Sequence, residues 1–190
     1  MKNLALMPVV CATMLSACSK FSSYDSDIVR ESNMLIHVPA FESGGRIPSK
    51  YTCDGENINP ELIFEEVPDN ARSLVLIMDD PDVPKSIRAD GMWDHWIVFN
   101  IPPDTERISE NEQPTGTAGK GTSGNLAYGG PCPPDREHRY FFKLFALDTL
   151  LDLPEGSTKS EVLKAMEGHV IAEGEIVRRY ERNSKFKMQN

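Results

Sequence analysis

The chain has 190 residues, room for one domain of ordinary size, and its 39% hydrophobic and 26% charged make-up is that of a folded globular protein. Lys and Arg total 20 against 29 Asp and Glu, a formal charge of −9, which excludes nucleic acid as the main partner because a phosphate backbone demands a basic surface. No run of about eighteen apolar residues is present, so a permanent membrane-spanning helix is excluded and any membrane attachment is covalent or peripheral.

Residues 1–17 read as a secretory signal: a positive charge at Lys2, an apolar run from Leu4 to Leu15, then small residues. Pro8 interrupts that run, and no cap or polar face accompanies it, which argues against a buried first helix. Leu15-Ser16-Ala17-Cys18 resembles the bacterial lipobox, in which the cysteine sulfur is acylated and becomes the new N-terminus. Palmitate-type chains on Cys18 would anchor the protein by burying methylenes at about 0.8 kcal/mol each. Ser19 follows in place of the Asp that holds such lipoproteins at an inner membrane, so the expectation is the periplasmic face of an outer membrane in a host that has one. Residues 18–32 are then the lipidated cysteine and a polar tether without helical or strand period.

The domain proper is expected over residues 33–184, with a short tail at 185–190. Apolar, β-rich runs at Asn33 to Phe41, Ser73 to Asp79, His95 to Ile101 and Tyr140 to Leu147 predict strands; their near-continuous hydrophobicity predicts burial on both sides or between sheets. The Gly- and Pro-rich stretches 42–60 and 102–134 predict loops. Thr158-Lys159-Ser160-Glu161 has capping-box spacing, Val162 and Met166 lie one turn apart and Gly168 supplies a stop, so a helix is predicted there. His169 to Tyr180 predicts a last strand. The body is a mainly β sandwich with a late helix.

Removal of the signal takes Cys11 and acylation takes Cys18, leaving Cys53 and Cys132. In an oxidising compartment the two form a disulfide or stay as buried thiols, and their separation decides neither. Neither sits in a CxxC, so metal ligation is disfavoured.

GxSxG, HExxH and the P-loop pattern are absent. Gly119-Lys120-Gly121-Thr122-Ser123-Gly124 fits GxGxxG, but no strand precedes it and no helix follows, so it reads as a turn-forming loop. Chemistry instead gathers at the ends of the apolar runs. Asp80-Pro81-Asp82-Val83-Pro84 ends one strand, Trp93-Asp94-His95-Trp96 begins the next, and Gly129 to Pro134 leads to His138-Arg139-Tyr140. On one edge of a sandwich, two imidazoles, a carboxylate and a phenol would converge beside a Gly-rich backbone. Such donors suit a phosphate or a carboxylate. Trp93 and Trp96 read as core.

These segments, DDPDVP at 79–84, DHW at 94–96, YGGPCPP at 128–134 and HRYFFKLFALD at 138–148, closely resemble the phosphatidylethanolamine-binding proteins, in the bacterial branch described as Raf kinase inhibitor-like. YTCDGENINPEL at 51–62 and AMEGHVIAEGEIVRRY at 165–180 fit the same branch. The resemblance implies two antiparallel sheets in a Greek-key sandwich with a C-terminal helix, and a small anion-binding cavity. It implies ligand-binding roles for Asp80, Asp82, Pro84, His95, Pro133, His138 and Tyr140. Asp80 would act behind an imidazole, accepting its N–H and fixing its tautomer. Asp82 reads equally as a turn-former before Pro84. Two departures bear on the preferred anion: Asp94, where many eukaryotic members have a second His, and the charged insert Asp135-Arg136-Glu137, where relatives often have Gly.

The leading expectation is a lipid-anchored envelope protein, not an enzyme, that binds a small anion or phosphorylated head group without cofactor or metal. The alternative is an inhibitor that docks an envelope protease or other protein partner through its Pro-rich rim. The third is a hydrolase with a metal on Asp80, His95 and His138.

Overall fold

The computed structural model describes residues 34–41 and 45–182. The signal segment, Cys18, the tether and the tail lie outside the described residues. Strand β1 spans Leu35–His37 and is followed by a single 3-10 turn at Ser49–Tyr51, then β2 at Leu62–Glu65, β3 at Ser73–Asp80 and β4 at Trp93–Ile101. Two short strands, β5 at Arg107–Ile108 and β6 at Thr117–Ala118, precede β7 at His138–Leu147. Helix α1 at Lys159–Met166 and strand β8 at Val170–Tyr180 close the domain. One sheet has the order β1-β2-β5 and the other β6-β4-β3-β7-β8, with every neighbouring pair antiparallel. The fold is mainly β, two antiparallel sheets with one helix near the C-terminal end.

The central strand β3 explains why its sequence is apolar without alternation. Leu74, Leu76 and Met78 face the small sheet and pack with Leu62, Phe64, Trp96, Tyr140 and Phe142. Val75 and Ile77 face the other way, onto Ile97, Phe99, Val162 and Met166. A strand covered on both faces needs hydrophobic residues at both parities. The second face is closed by α1. Its start is the capping box expected from the spacing: Glu161 N–H donates to Thr158 Oγ1 at 3.4 Å and Thr158 N–H donates to Glu161 Oε2 at 2.7 Å. Val162 and Met166 carry its buried stripe, each contributing roughly 1.5–3 kcal/mol of apolar burial. Gly168, at φ +81°, then turns the chain in the left-handed region that glycine adopts without strain.

Three strands escape the sequence pattern. β2, β5 and β6 have four, two and two residues and exist through pairing with neighbours rather than through any run of their own. The last two, with the 3-10 turn, fall inside stretches that read as loops.

Candidate functional site

Beyond the upper ends of β3, β4 and β7 lies a cavity of about 370 Å³. Asp80, His95, Pro133 and His138 line it together with Asn57, Val83, Ile87, Trp93, Ser123, Asn125, Gly129, Gly130, Pro134 and both Cys53 and Cys132. Sequence motifs separated by dozens of residues therefore meet on one sheet edge.

A β-bulge brings His95 into this group. Met78 pairs with Trp96 while Asp79 pairs with Asp94, so one step along β3 corresponds to two along β4 and His95 is the extra residue. Strict alternation from Ile97 and Phe99 would have sent His95 to the helix side of the sheet. The extra residue turns it toward Tyr140 instead, the two rings meeting edge-on at 5.3 Å. The position is then locked from both directions: Gly129 N–H donates to the His95 carbonyl at 3.1 Å, and His95 Nδ1 donates to the Gly129 carbonyl at 2.7 Å. A carbonyl only accepts, so Nδ1 carries the proton and Nε2 of the neutral ring carries a lone pair. His95 Nε2 is buried with no hydrogen-bond partner. Burial pushes the His95 pKa below its usual 6.5 despite the Gly129 bond and the nearby charges of Asp80, Asp94 and Asp79, which pull it upward.

His138 is wholly buried, and its two nitrogens are both engaged. Nδ1 lies 2.7 Å from Asp80 Oδ2 and Nε2 lies 2.8 Å from Asp135 Oδ1. Ionised carboxylates only accept, so both bonds are made at once by the imidazolium. Asp80 Oδ1 additionally accepts the backbone N–H of Asp82 at 2.8 Å, which fixes the carboxylate against the turn that follows β3.

The remaining motif residues sit behind or beside the cavity. Tyr140 is fully buried beneath His95 and is not part of the lining. Burial first, and then the charge of Asp80, hold its phenol protonated well above the ordinary tyrosine range. Asp82 grips Arg139 through three bonds of 2.8–3.0 Å, from Nε, Nη2 and the backbone N–H. The Arg139 guanidinium pulls the Asp82 carboxyl down to about 2. The Pro84 carbonyl accepts from Ile87 and Arg88 N–H and closes a turn. Trp96 lies in the core as its sequence suggested, but Trp93 forms cavity wall.

The far wall is tied by covalent and backbone bonds. Cys53 and Cys132 form a disulfide with Cα atoms 5.4 Å apart, resolving the choice that the sequence left open. Cys53 N–H donates to the Pro131 carbonyl, and Gly130 N–H donates to Asn57 Oδ1 at 2.8 Å. A Cβ at Gly130 would stand 2.4 Å from the Tyr51 carbonyl oxygen, so only glycine lets these two loops touch. Ser123 and Asn125 come from the glycine-rich loop whose GxGxxG spacing points to no nucleotide. Of the lining residues outside the implied set, Val83 and Trp93 stand within quoted motifs. Asn57 stands within the 51–62 segment and Ser123 within the glycine-rich 119–124 loop, neither of which the sequence assigned to the site, and Ile87 and Asn125 have no local signal that marks them.

A profile of the phosphatidylethanolamine-binding protein family matches residues 37–181. The chain belongs to the phosphatidylethanolamine-binding protein family. Its curated relatives include a UPF0098 protein of Methanothermobacter thermautotrophicus, 50% identical over 78% of this chain and 99% of that protein. Another, from Chlamydia trachomatis, is 49% identical over 79% of this chain and all of its own length. Among solved structures, a phosphatidylethanolamine-binding protein homologue from Chlamydia trachomatis superposes with a TM-score of 0.77 at 47% identity, covering 80% of this chain and 99% of that one. Escherichia coli YbcL, described as a member of the mammalian family, gives a TM-score of 0.71 at 28% identity over 80% of this chain and 99% of its own. Within this phosphatidylethanolamine-binding protein fold, His95, His138 and Asp80 supply the ionisable side chains of a cavity also lined by Asn57, Ser123, Asn125 and apolar groups.

Proposed function

We propose that this protein binds a small anion, phosphate or a phosphorylated head group, in the cavity at His95 and His138, as a member of the bacterial Raf kinase inhibitor-like branch. The observation that carries this reading is His95 Nε2, a buried polar atom without a partner in the cavity wall. Such an atom costs free energy until something bonds to it. Protonation turns Nε2 from acceptor to donor, so an anion that brings a proton satisfies it and gains a cation at the same time. Ser123 and Asn125 add neutral hydrogen-bonding groups, and Val83, Ile87 and Trp93 offer apolar surface to the remainder of a larger ligand.

Because burial holds His95 neutral at pH 7, binding is expected to tighten as pH falls. Titration calorimetry with inorganic phosphate and phosphoethanolamine at about pH 7.5 and about pH 5.5 brackets the ordinary histidine range. The expected result is saturable binding, stronger at the lower pH and lost in His95→Gln. No heat from the folded protein at either pH overturns the reading and favours a protein-docking inhibitor.

We also propose that the protein is held in the cell envelope by acylation of Cys18, a reading that the lipobox-like Leu15 to Cys18 supports. Radiolabelled palmitate incorporated by the wild type and not by Cys18→Ser is the expected outcome. Equal labelling of both would overturn it.

A further inference from the structure

The two carboxylates on His138 differ in how they are held. Asp80 belongs to β3 and its side chain is 4% exposed, whereas the side chain of Asp135 is 46% exposed and sits on the irregular segment between Pro134 and β7. One is built into the sheet; the other reaches His138 from the loop that follows the cavity-lining Pro133 and Pro134. Burial alone would raise the Asp135 carboxyl. The bond to His138, helped by the Arg136 backbone and guanidinium, outweighs that and brings it below the usual carboxylate range.

We propose that Asp135 is an internal ligand of His138, standing where the oxygen of an external anion binds, and that filling the pocket requires its displacement. The inference rests on the anion-binding reading above. An imidazole ring has two nitrogens, and here both are taken. While Asp135 stays, an arriving anion meets an imidazolium already outnumbered by two carboxylates and finds no ring donor on His138. Once Asp135 turns out to solvent, the Nε2 proton is available and the exchange replaces one charge-assisted bond by another.

That exchange selects a chemical class. A carboxylate offers His138 nothing that Asp135 does not already supply at high local concentration through the chain. A phosphoryl group carries more charge and three acceptor oxygens, so it can hold His138 with one and address His95 with another. Asp135 therefore makes the pocket selective for phosphoryl compounds over simple carboxylates.

The test is titration of the full chain with inorganic phosphate and, separately, with acetate, in the wild type, Asp135→Ala and Glu137→Gln. Glu137 is the control: it removes the same charge two residues away, where it pairs with Arg46 and not with His138. Losing one charge-assisted competitor is expected to tighten phosphate on the order of tenfold in Asp135→Ala. Acetate is expected to bind Asp135→Ala and not the wild type, and the His138 ring N–H resonance to shift on its addition. Glu137→Gln is expected to behave as the wild type. Equal tightening in both variants would reduce the effect to general charge and overturn the proposal. Phosphate binding by the wild type with no gain in Asp135→Ala would overturn it while leaving the anion site standing. Absence of phosphate binding in all three folded proteins would remove the anion site itself.

Discussion

Asp79 and Asp80 are consecutive, chemically identical and each 3% exposed, yet they belong to different parts of the molecule. Strand alternation sends Asp79 to the helix side of β3, where Lys143 and Lys159 donate to it at 3.0 and 3.2 Å. Lys159 also pairs with Asp94, so this one cation from α1 clasps the ends of β3 and β4. Asp80 points to the other side and meets the imidazole of His138 and the turn at Asp82, near the phenol of Tyr140. On one face a buried carboxylate accepts from two lysine side chains and serves as a fastener. On the other its partner is an imidazole, and there a cavity opens. The partner, rather than the burial of the acid, distinguishes the two carboxylates.

Replacing each acid by its amide gives the largest test of that contrast. Asp79→Asn leaves two ammonium groups without their shared counter-ion and is expected to cost about 3 kcal/mol. Asp80→Asn should cost less, about 1–2 kcal/mol, because the amide oxygen still accepts the Asp82 N–H while the amide N–H donates to His138 Nδ1 and leaves Nε2 to donate to Asp135. Urea melts of the two variants measure both; an Asp80→Asn loss as large as that of Asp79→Asn would break the comparison.

The acid side of the stability curve sharpens it next. The folded-state pKa of His95 lies below 6.5, so between that value and 6.5 the unfolded chain binds a proton that the folded one does not. Stability from this residue is therefore complete above 6.5 and declines as pH falls, by up to about 1.4 kcal/mol per pH unit. His95→Gln should flatten that decline in melts followed without phosphate from about pH 7.5 to about pH 5.5. An identical slope in the two proteins would show that His95 is not the titrating group.

The smallest effect is expected beside the cavity, at Asp82. Its grip on Arg139 is partly exposed, so Asp82→Asn should cost no more than about 1 kcal/mol at neutral pH. With a folded pKa of about 2 against an ordinary 3.8, that contribution is present above 3.8 and disappears as pH falls toward 2. Thermal melts of wild type and variant should therefore converge at acid pH, and a gap that persists there would assign the loss to packing.

Much of the fold was legible because it rests on local rules. The runs that became β3 and β4 are apolar at both parities, as a strand covered on two sides requires, whereas β7 buries Tyr140, Phe142, Leu144 and Ala146 and leaves Phe141, Lys143 and Phe145 half-buried on its other face; the α1 cap is spelled by Thr158 and Glu161. β5 and β6 were not, since a two-residue strand is a pairing and not a pattern. Within the site, His95, His138 and Asp80 could be named from motifs. The lining by Ile87, Ser123 and Asn125 could not, and Asn57 could not be told from its neighbours in the 51–62 segment, because loops reach a cavity by tertiary packing and carry no period.

By itself, then, the sequence determined the β-rich class, the buried strands, the capped helix and the identity of the imidazoles and the carboxylate that meet at the cavity. These follow from hydrophobic periodicity, cap spacing and side-chain type, all of which act over a few residues. Only the tertiary structure decided that Cys53 reaches Cys132, that a bulge moves His95 off the helix side of the sheet, and that Asp79 and Asp80 part company. It also decided that Asp82 is spent on Arg139 and that Asp135 closes on His138. Each of these depends on register and on the meeting of distant loops, and a one-residue change in pairing would send the same side chain to the opposite face.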